Sequence, residues 1–327
     1  MRHILLGLAA AGLLFSLPAQ AQEAWPSRVI TLMSGFPNGS GVDIYARKLA
    51  EPLSRALGVT VVVDNRTGAG GNIGSDMVAK AAPDGYTFLF GTAGTHAINA
   101  SLYRKLPFDV VKDFTPVIHL GDVPNVLTVS PEKRPALSSC AALVAAAKAS
   151  PGKLNYASTG NGASTHLAAA QFAQVAQLDV VHVPFRGQPS AQTALLAGDV
   201  DFFFNQSGPA IGYIQQGQVR GLAVSTAERL AALPDVPTVA EACGLPGFDS
   251  STWYGILAPA NLPASILERV NKEIHRIISA PDFRQWLIQT QGITPTDVVT
   301  PEAFRTVQLR DIERWAEVVR RSGAQVD

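Results

Sequence analysis

The sequence has 327 residues, and its 26 lysines and arginines balance its 26 aspartates and glutamates. A chain of this length exceeds one comfortable hydrophobic core and predicts two domains. The zero net charge gives no electrostatic support for nucleic-acid binding, which depends on clustered positive charge.

The N-terminus has the pattern of a secretory signal peptide. Arg2 precedes an apolar run from Ile4 to Leu17, and Ala19-Gln20-Ala21 matches the small residues before a cleavage site. We expect residues 1–21 to be removed, leaving a mature chain that begins near Gln22. The alternative is an N-terminal membrane anchor, for which this apolar run is short. No later stretch stays apolar for the ~18 residues that a membrane span requires.

Short β-rich runs alternate with helical patterns, which favours a mostly parallel sheet with helices on both faces. Before residue 100, strands are predicted at Val29–Met33, Thr60–Val63 and Thr87–Phe90, and helices at Asp43–Leu57 and Ile73–Ala81. After residue 130, helices are predicted at Ser138–Ala149, Ser164–Val175, Ser190–Ala197 and Ala264–Ser279, the last with a single apolar stripe. Strands in this part are predicted at Leu154–Ala157, Val180–Val183, Val200–Phe204 and Leu222–Ser225.

Two extended runs are predicted to cross between domains. Residues 117–129 form a run longer than one ordinary strand, interrupted by Pro124, and residues 253–258 form the return. We therefore expect a discontinuous α/β domain of residues 22–123 plus 254–327 and a continuous α/β domain of residues 124–253. A cleft lies where two such domains meet, which is a favoured place for a small-molecule site.

The two cysteines, Cys140 and Cys243, either form a disulfide or remain free thiols, because sequence gives no Cα separation. Neither has the spacing of a metal ligand. The histidines lack the i,i+4 pairs and acidic neighbours of a metal site, so we expect no metal.

The glycine-rich segment 35–43 follows the first predicted strand and precedes the first helix. Open α/β sheets bind ligands at the carboxyl ends of their strands, and a helix N-terminus attracts anions. Asp43 is predicted to cap the helix and order the loop. The segment predicts an anion site, and the alternative is a simple tight turn.

Two further glycine-rich segments follow strands. Residues 65–74 have the spacing G-x-G-x-x-x-G, which departs from the dinucleotide fingerprint, so we expect a ligand-facing or domain-shaping turn and no cofactor. Residues 155–166 repeat the strand, loop and helix pattern in the second domain. Two opposed helix N-termini, with the hydroxyls of Thr159 and Ser164, would hold one carboxylate.

Arg186 is a candidate partner for a second ligand charge, and the alternative is an ion pair with a neighbouring acid. The competing functional class is an exported hydrolase that uses Ser164, His166 and Asp201. Ser164 and His166 are two residues apart on one helix and face different directions, and Ser164 lacks the G-x-S-x-G context. This pattern is weak support for catalysis.

Several motifs make the chain similar to the tripartite tricarboxylate transporter receptor family, also called the Bordetella uptake gene (Bug) family. In chain order they are Phe36-Pro37-Asn38-Gly39-Ser40-Gly41-Val42-Asp43, Asn65-Arg66 with Gly68-Ala69-Gly70-Gly71-Asn72-Ile73-Gly74, Ala82-Pro83-Asp84-Gly85-Tyr86-Thr87, His182-Val183-Pro184-Phe185-Arg186-Gly187, Leu233-Pro234-Asp235-Val236-Pro237-Thr238 with Glu241-Ala242, and Trp253-Tyr254-Gly255 with Ala258-Pro259. The resemblance covers nearly the whole mature chain.

The resemblance implies a type II-like periplasmic binding protein, not an enzyme, which closes two domains around an organic acid or amino acid. It implies work with separate membrane permease subunits or with a sensor, in the periplasm of a Gram-negative bacterium, and we expect a monomer. The ligand contacts carried over from the family are Phe36, Gly39, Ser40, Gly41, Asp43, Thr159, Gly160, Asn161 and Ser164, with Thr92 and Thr95 as walls. The residue patterns of this chain add Asn38, Phe185, Arg186 and Gly187.

Overall fold

The computed structural model describes residues 25–322 and 325–326. The predicted signal peptide, residues 1–21, lies outside the described residues. Within them, no helix is both long enough and apolar enough to cross a bilayer.

Two mixed sheets organise the chain. The strands are β1 (Ile30–Ser34), β2 (Val61–Asn65), β3 (Thr87–Thr92), β4 (Phe114–Val123), β5 (Asn125–Val129), β6 (Asn155–Ser158), β7 (Val181–Pro184), β8 (Phe202–Gln206), β9 (Arg220–Val224) and β10 (Thr252–Pro259). The first sheet has the order β2-β1-β3-β10-β4 and the second has the order β7-β6-β8-β5-β9. We call the first sheet with its flanking helices the first lobe, and the second sheet with its flanking helices the second lobe.

Helices connect most of these strands. They are α1 (Gly41–Leu57), α2 (Asn72–Ala79), α3 (Asn99–Leu102), α4 (Cys140–Ala149), α5 (Ser164–Val175), α6 (Gln188–Ala197), α7 (Ser207–Gln215), α8 (Val239–Cys243), α9 (Ala264–Ser279), α10 (Pro281–Trp286) and α11 (Pro301–Ser322). Each predicted strand and helix is present, and no end is shifted by more than three residues. The sequence patterns did not predict the short helices α3, α8 and α10, or helix α7, where Gly208 and Pro209 in the first turn conceal the helical pattern.

One strand in each sheet runs against its neighbours, and in both sheets it is a crossing strand. Strand β10 pairs antiparallel with β3 and β4, and β5 pairs antiparallel with β8 and β9. The other pairs are parallel, as the β-α alternation predicts. The predicted long run is divided at Pro124, whose missing N–H interrupts a strand ladder.

Helices cover both faces of each sheet and bury separate apolar clusters. In the first lobe, α1 and α9 pack on one face, and α2, α3 and α11 pack on the other. The predicted stripe of α9 is confirmed, since Val270, Ile274, Ile277 and Ile278 are all buried. Each such side chain contributes roughly 1.5–3 kcal/mol when fully buried.

The question left open by the two cysteines is answered by a disulfide between Cys140 and Cys243, with their Cα atoms 5.3 Å apart. It joins the start of α4 to the end of α8 in the second lobe. The bond closes a segment with a sequence separation of 103 residues.

Candidate functional site

The glycine-rich loops of the two lobes meet at the cleft. A methyl group added at Gly187 in the second lobe would lie 2.6 Å from Cγ of Pro37 in the first. One added at Gly162 would overlap Leu102 of the first lobe. Both glycines have positive φ, 94° and 74°, so both the backbone and the space favour glycine there. The second lobe therefore approaches the side chains of Pro37 and Leu102 through positions that carry no side chain.

Helix α1 begins at the first loop and is capped by Ser40. The Ser40 hydroxyl accepts a hydrogen bond from the Asp43 backbone N–H at 3.2 Å, and the helix starts at Gly41. The prediction that Asp43 caps the helix is wrong, because Asp43 lies in the first turn. Its carboxylate instead accepts a bond from the Gly39 N–H at 3.0 Å.

The Asp43 carboxylate holds the first loop in place. It is buried and accepts hydrogen bonds from Arg47 Nε at 2.9 Å and Asn65 Nδ2 at 3.1 Å. Asn65 also donates to the Phe36 carbonyl at 2.8 Å. These contacts occupy Asp43, so it shapes the loop and does not present a negative charge to the cleft.

Buried threonines at the end of β3 form a compact hydrogen-bonded turn. The Thr95 hydroxyl donates to the Thr92 carbonyl at 3.1 Å and lies 2.8 Å from His96 Nδ1. Burial, and secondarily the positive charge of Arg305, lowers the pKa of His96 to about 3. The ring is therefore neutral at ordinary pH.

The second loop, residues 158–163, rests on a stacked pair of histidines. The rings of His166 and His182 lie 3.9 Å apart and nearly parallel. The Gly162 N–H donates to His166 Nδ1 at 3.1 Å, and the Ser158 hydroxyl lies 2.6 Å from His182 Nε2. Burial lowers the pKa of His166 to about 3, with a further contribution from His182, and lowers that of His182 to about 4. The loop is thus held by neutral rings.

Two connected regions of space lie between the lobes. The outer cavity, of about 310 Å³, is lined by Gly35, Phe36, Pro37, Thr67, Gly68, Ala69, Gly70, Gly71, Thr159, Gly160, Phe185, Arg186 and Gly187. The inner cavity, of about 20 Å³, is lined by Phe36, Thr92, Gly94, Thr159, Ala163, Ser164, Gln206, Thr252 and Tyr254. Phe36 and Thr159 contact both, so the two cavities form one cleft.

The structure brings together most of the predicted site residues. Those that line a cavity are Phe36, Thr92, Thr159, Gly160, Ser164, Phe185, Arg186 and Gly187. Gly41 lies against the inner cavity, next to the side chains of Tyr254 and Gln206. Asn38, Gly39, Ser40, Asp43, Thr95 and Asn161 line neither cavity, and their contacts lie within or beside the loops.

Sequence reasoning missed three polar residues of the inner cavity, namely Gln206, Thr252 and Tyr254. Tyr254 belongs to the Trp253-Tyr254-Gly255 motif, but the apolar run around it predicts only a crossing strand. Gln206 ends β8 and had no motif to mark it. The 65–74 segment, predicted to face the ligand or shape the domain, lines the outer cavity.

The electrostatics of the cleft favour an anion. Helices α5 and α6 begin at its edge, and neither Ala163 nor Gly187 provides a side-chain cap for their free N–H groups. Among the described residues that line the two cavities, Arg186 is the sole cation and no carboxylate occurs. Arg186 is exposed and forms no ion pair within the described part of the chain.

The proposed hydrolase trio is not assembled. Asp201 accepts hydrogen bonds from Arg134 Nε at 2.5 Å and from the Asn155 N–H at 2.7 Å. His166 Nδ1 accepts from Gly162, and its ring is stacked on His182. Asp201 therefore does not orient His166, and His166 is not free to activate Ser164.

Comparisons with known proteins agree over most of the chain. The sequence profile of the tripartite tricarboxylate transporter family receptor, TctC, matches residues 45–324. A protein of Pseudomonas sp. (strain P51), named UPF0065 protein in the tcbD-tcbE intergenic region, is 40% identical and covers 97% of this chain and 93% of its own. An R. palustris protein solved with adipate is 33% identical, with a TM-score of 0.88 over 92% of this chain and 100% of that one. MatC from Rhodopseudomonas palustris, solved with bound malate, is 31% identical, with a TM-score of 0.84 over 90% of this chain and 100% of that one.

Proposed function

Because the chain belongs to the tripartite tricarboxylate transporter receptor family, whose members are solute-binding receptors and not enzymes, we propose that it captures a small organic acid between its two lobes. The family resemblance and the two-lobed α/β fold expected from the sequence are confirmed. The hydrolase alternative is set aside on the same grounds.

The observation that carries the proposal is the chemistry of the cleft lining. Several groups of the lining can donate hydrogen bonds: the uncapped N–H groups at α5 and α6, the hydroxyls of Thr92, Thr159 and Ser164, and the guanidinium of Arg186. No carboxylate lines the described cleft to repel an anion. A carboxylate would accept from several of these donors at once.

Hydrogen bonds of this kind supply part of the free energy that useful affinity requires. Each bond to a charged group contributes about 1.5–3 kcal/mol before the costs of association and ordering. A micromolar dissociation constant requires about 8 kcal/mol net. Three or four such bonds supply about 4.5–12 kcal/mol before those costs, so apolar contact from Phe36 and Phe185 would supply the remainder.

We propose a dicarboxylate as the preferred ligand. The relatives solved with adipate and with malate hold acids that carry two carboxylates. In this chain the inner cavity would take one carboxylate at the N-termini of α1 and α5. Arg186, unpaired at the wall of the outer cavity, would face the other.

The proposed mechanism is closure without chemistry. Residues 22–123 plus 254–327 and residues 124–253 would move as two domains about the crossings at Pro124 and at the start of β10. The closed form would be recognised in the periplasm, after removal of residues 1–21, by permease subunits of a tripartite transporter or by a sensor. We expect the receptor to act as a monomer.

A thermal-shift screen of acids tests the binding function. A ligand at 100 times its dissociation constant adds about 2.7 kcal/mol to the free energy of unfolding. For a chain of this size, each kcal/mol raises the melting temperature by roughly 2–4 °C. Saturating dicarboxylates should therefore raise the melting temperature by about 5–11 °C, whereas neutral sugars and amines should not. If no acid raises it, the binding proposal fails.

Adipate and hexanoate, which differ in one terminal carboxylate, test the role of Arg186. Arg186→Gln should weaken adipate binding about two- to fivefold, as expected for an exposed ion pair worth 0.5–1 kcal/mol, and leave hexanoate binding unchanged. Arg186→Lys is the matched control that retains the charge. Titration calorimetry that finds equal losses for both acids would assign Arg186 a role other than binding the second carboxylate.

A further inference from the structure

The side chain of Tyr254 ends in a buried hydroxyl at the floor of the cleft. Tyr254 is 3% exposed, and its ring packs edge-on against Phe90 at 5.4 Å and Tyr45 at 6.3 Å. Within the described part of the protein, the Tyr254 hydroxyl has no hydrogen-bond partner. The residue lines the inner cavity.

A neighbouring tyrosine shows what the same side chain does when its role is structural. Tyr45 belongs to the same aromatic cluster and is also fully buried. Its hydroxyl donates to the Leu120 carbonyl at 3.2 Å. Buried polar groups are nearly always hydrogen-bonded because an unsatisfied one is costly. The buried hydroxyl of Tyr254 lacks such a partner within the described residues, and it lies beside the inner cavity.

The Tyr254 hydroxyl lies next to the N-terminus of α1 and to a side chain of the second lobe. A methyl group added at Gly41 would lie 3.0 Å from the Tyr254 hydroxyl oxygen and 3.1 Å from Gln206 Oε1. The phenol, the N-terminus of α1 and the amide of Gln206 from the other lobe thus converge on one small volume. Burial raises the pKa of Tyr254, so the hydroxyl remains a proton donor across the physiological range.

From this geometry we infer that Tyr254 is a ligand-binding residue whose hydroxyl donates a hydrogen bond to the inner carboxylate of the bound acid. The inference rests on the proposed function and assigns a contact within that site. The phenol is positioned by the crossing strand β10, and Gln206 approaches from the other lobe. The contact therefore forms where both lobes meet the ligand.

Tyr254→Phe removes the hydroxyl and keeps the ring, and its binding of adipate and malate is measured by titration calorimetry. We expect both dissociation constants to rise at least tenfold. Because the hydroxyl has no partner among the described residues, the melting temperature of the unliganded variant should be unchanged or higher. Tyr45→Phe is the matched control, and it should lower the unliganded melting temperature while leaving the dissociation constants unchanged.

The outcomes separate the two proposals. If the wild-type protein binds the acids and Tyr254→Phe binds them within twofold of it, the role of Tyr254 is overturned and the receptor function stands. If the unliganded Tyr254→Phe protein melts well below the wild type, the hydroxyl has a structural partner and the inference also fails. A wild-type protein that binds no acid overturns both proposals.

Discussion

Replacing Gly41 with alanine tests whether the N-terminus of α1 is part of the binding site. Gly41 is the first residue of α1 and is buried, and its φ is not in the left-handed region, so alanine fits the backbone. The added methyl would lie 3.0 Å from the Tyr254 hydroxyl and 3.1 Å from Gln206 Oε1. It would occupy the volume in which the inner carboxylate is proposed to lie.

The expected rise in the dissociation constant follows from the hydrogen bonds that the methyl group displaces. Loss of one charge-assisted hydrogen bond, worth about 1.5–3 kcal/mol, corresponds to roughly a 10- to 150-fold rise in the dissociation constant. The protein itself should remain folded, because alanine is the better helix former by up to about 1 kcal/mol. Both neighbours of the methyl are side-chain ends, which yield by a few tenths of an ångström.

The assay compares Gly41→Ala with Gly212→Ala, measuring acid binding by titration calorimetry and stability by urea unfolding. Gly212 lies inside α7, and a methyl there would have no atom within 4 Å. Gly212→Ala should therefore bind acids as the wild type does and gain about 0.4–1 kcal/mol in stability. Wild-type affinity in a folded Gly41→Ala protein would refute the placement of the carboxylate at α1.

Replacing both Cys140 and Cys243 with alanine should lower the free energy of unfolding by up to about 4.7 kcal/mol, the loop-entropy value for a closed loop of about 100 residues, as measured by urea denaturation. Acid binding at 25 °C should be unchanged, because the bond joins α4 to α8 and neither helix lines the cleft. A large loss of affinity would contradict the placement of the binding site in the cleft. The lowered pKa values of His96, His166 and His182 predict that stability is full above pH 6.5 and falls as the pH drops towards 4, because the unfolded chain binds protons there that the folded chain excludes. Urea midpoints at pH 7, 5.5 and 4.5 measure this, and a flat profile between pH 6.5 and 4 would show that the rings are protonated in the folded protein.

The sequence was most informative where a local pattern determines the structure. The alternation of strands and helices, the apolar stripe of α9 and the break at Pro124 depend on near neighbours, and each is present. The position of the first glycine loop at the end of β1 also follows from local chain order. These features predicted the fold and the region of the cleft.

Features that depend on distant residues were not predictable in the same way. Whether Cys140 reaches Cys243 depends on how α8 packs on α4 in the folded lobe. Ser40 and not Asp43 caps α1, and the Asp43 carboxylate instead accepts hydrogen bonds from Arg47 and Asn65, which are not its neighbours in sequence. The apolar run that contains Tyr254 predicts a core strand, and nothing in that run reveals that the hydroxyl lacks a partner.

The crossing strands place the proposed binding site beside the proposed hinge between the lobes. Thr252 of β10 pairs with Val123 at the end of β4, and Gln206 pairs with Asn125 at the start of β5. Two of these residues, Thr252 and Gln206, also line the inner cavity. A ligand held by Tyr254, Gln206 and the loops would therefore contact the β10 crossing directly and the β4–β5 crossing through Gln206, which pairs with Asn125. Its binding energy would act on the angle between the lobes without any relay through the rest of the protein.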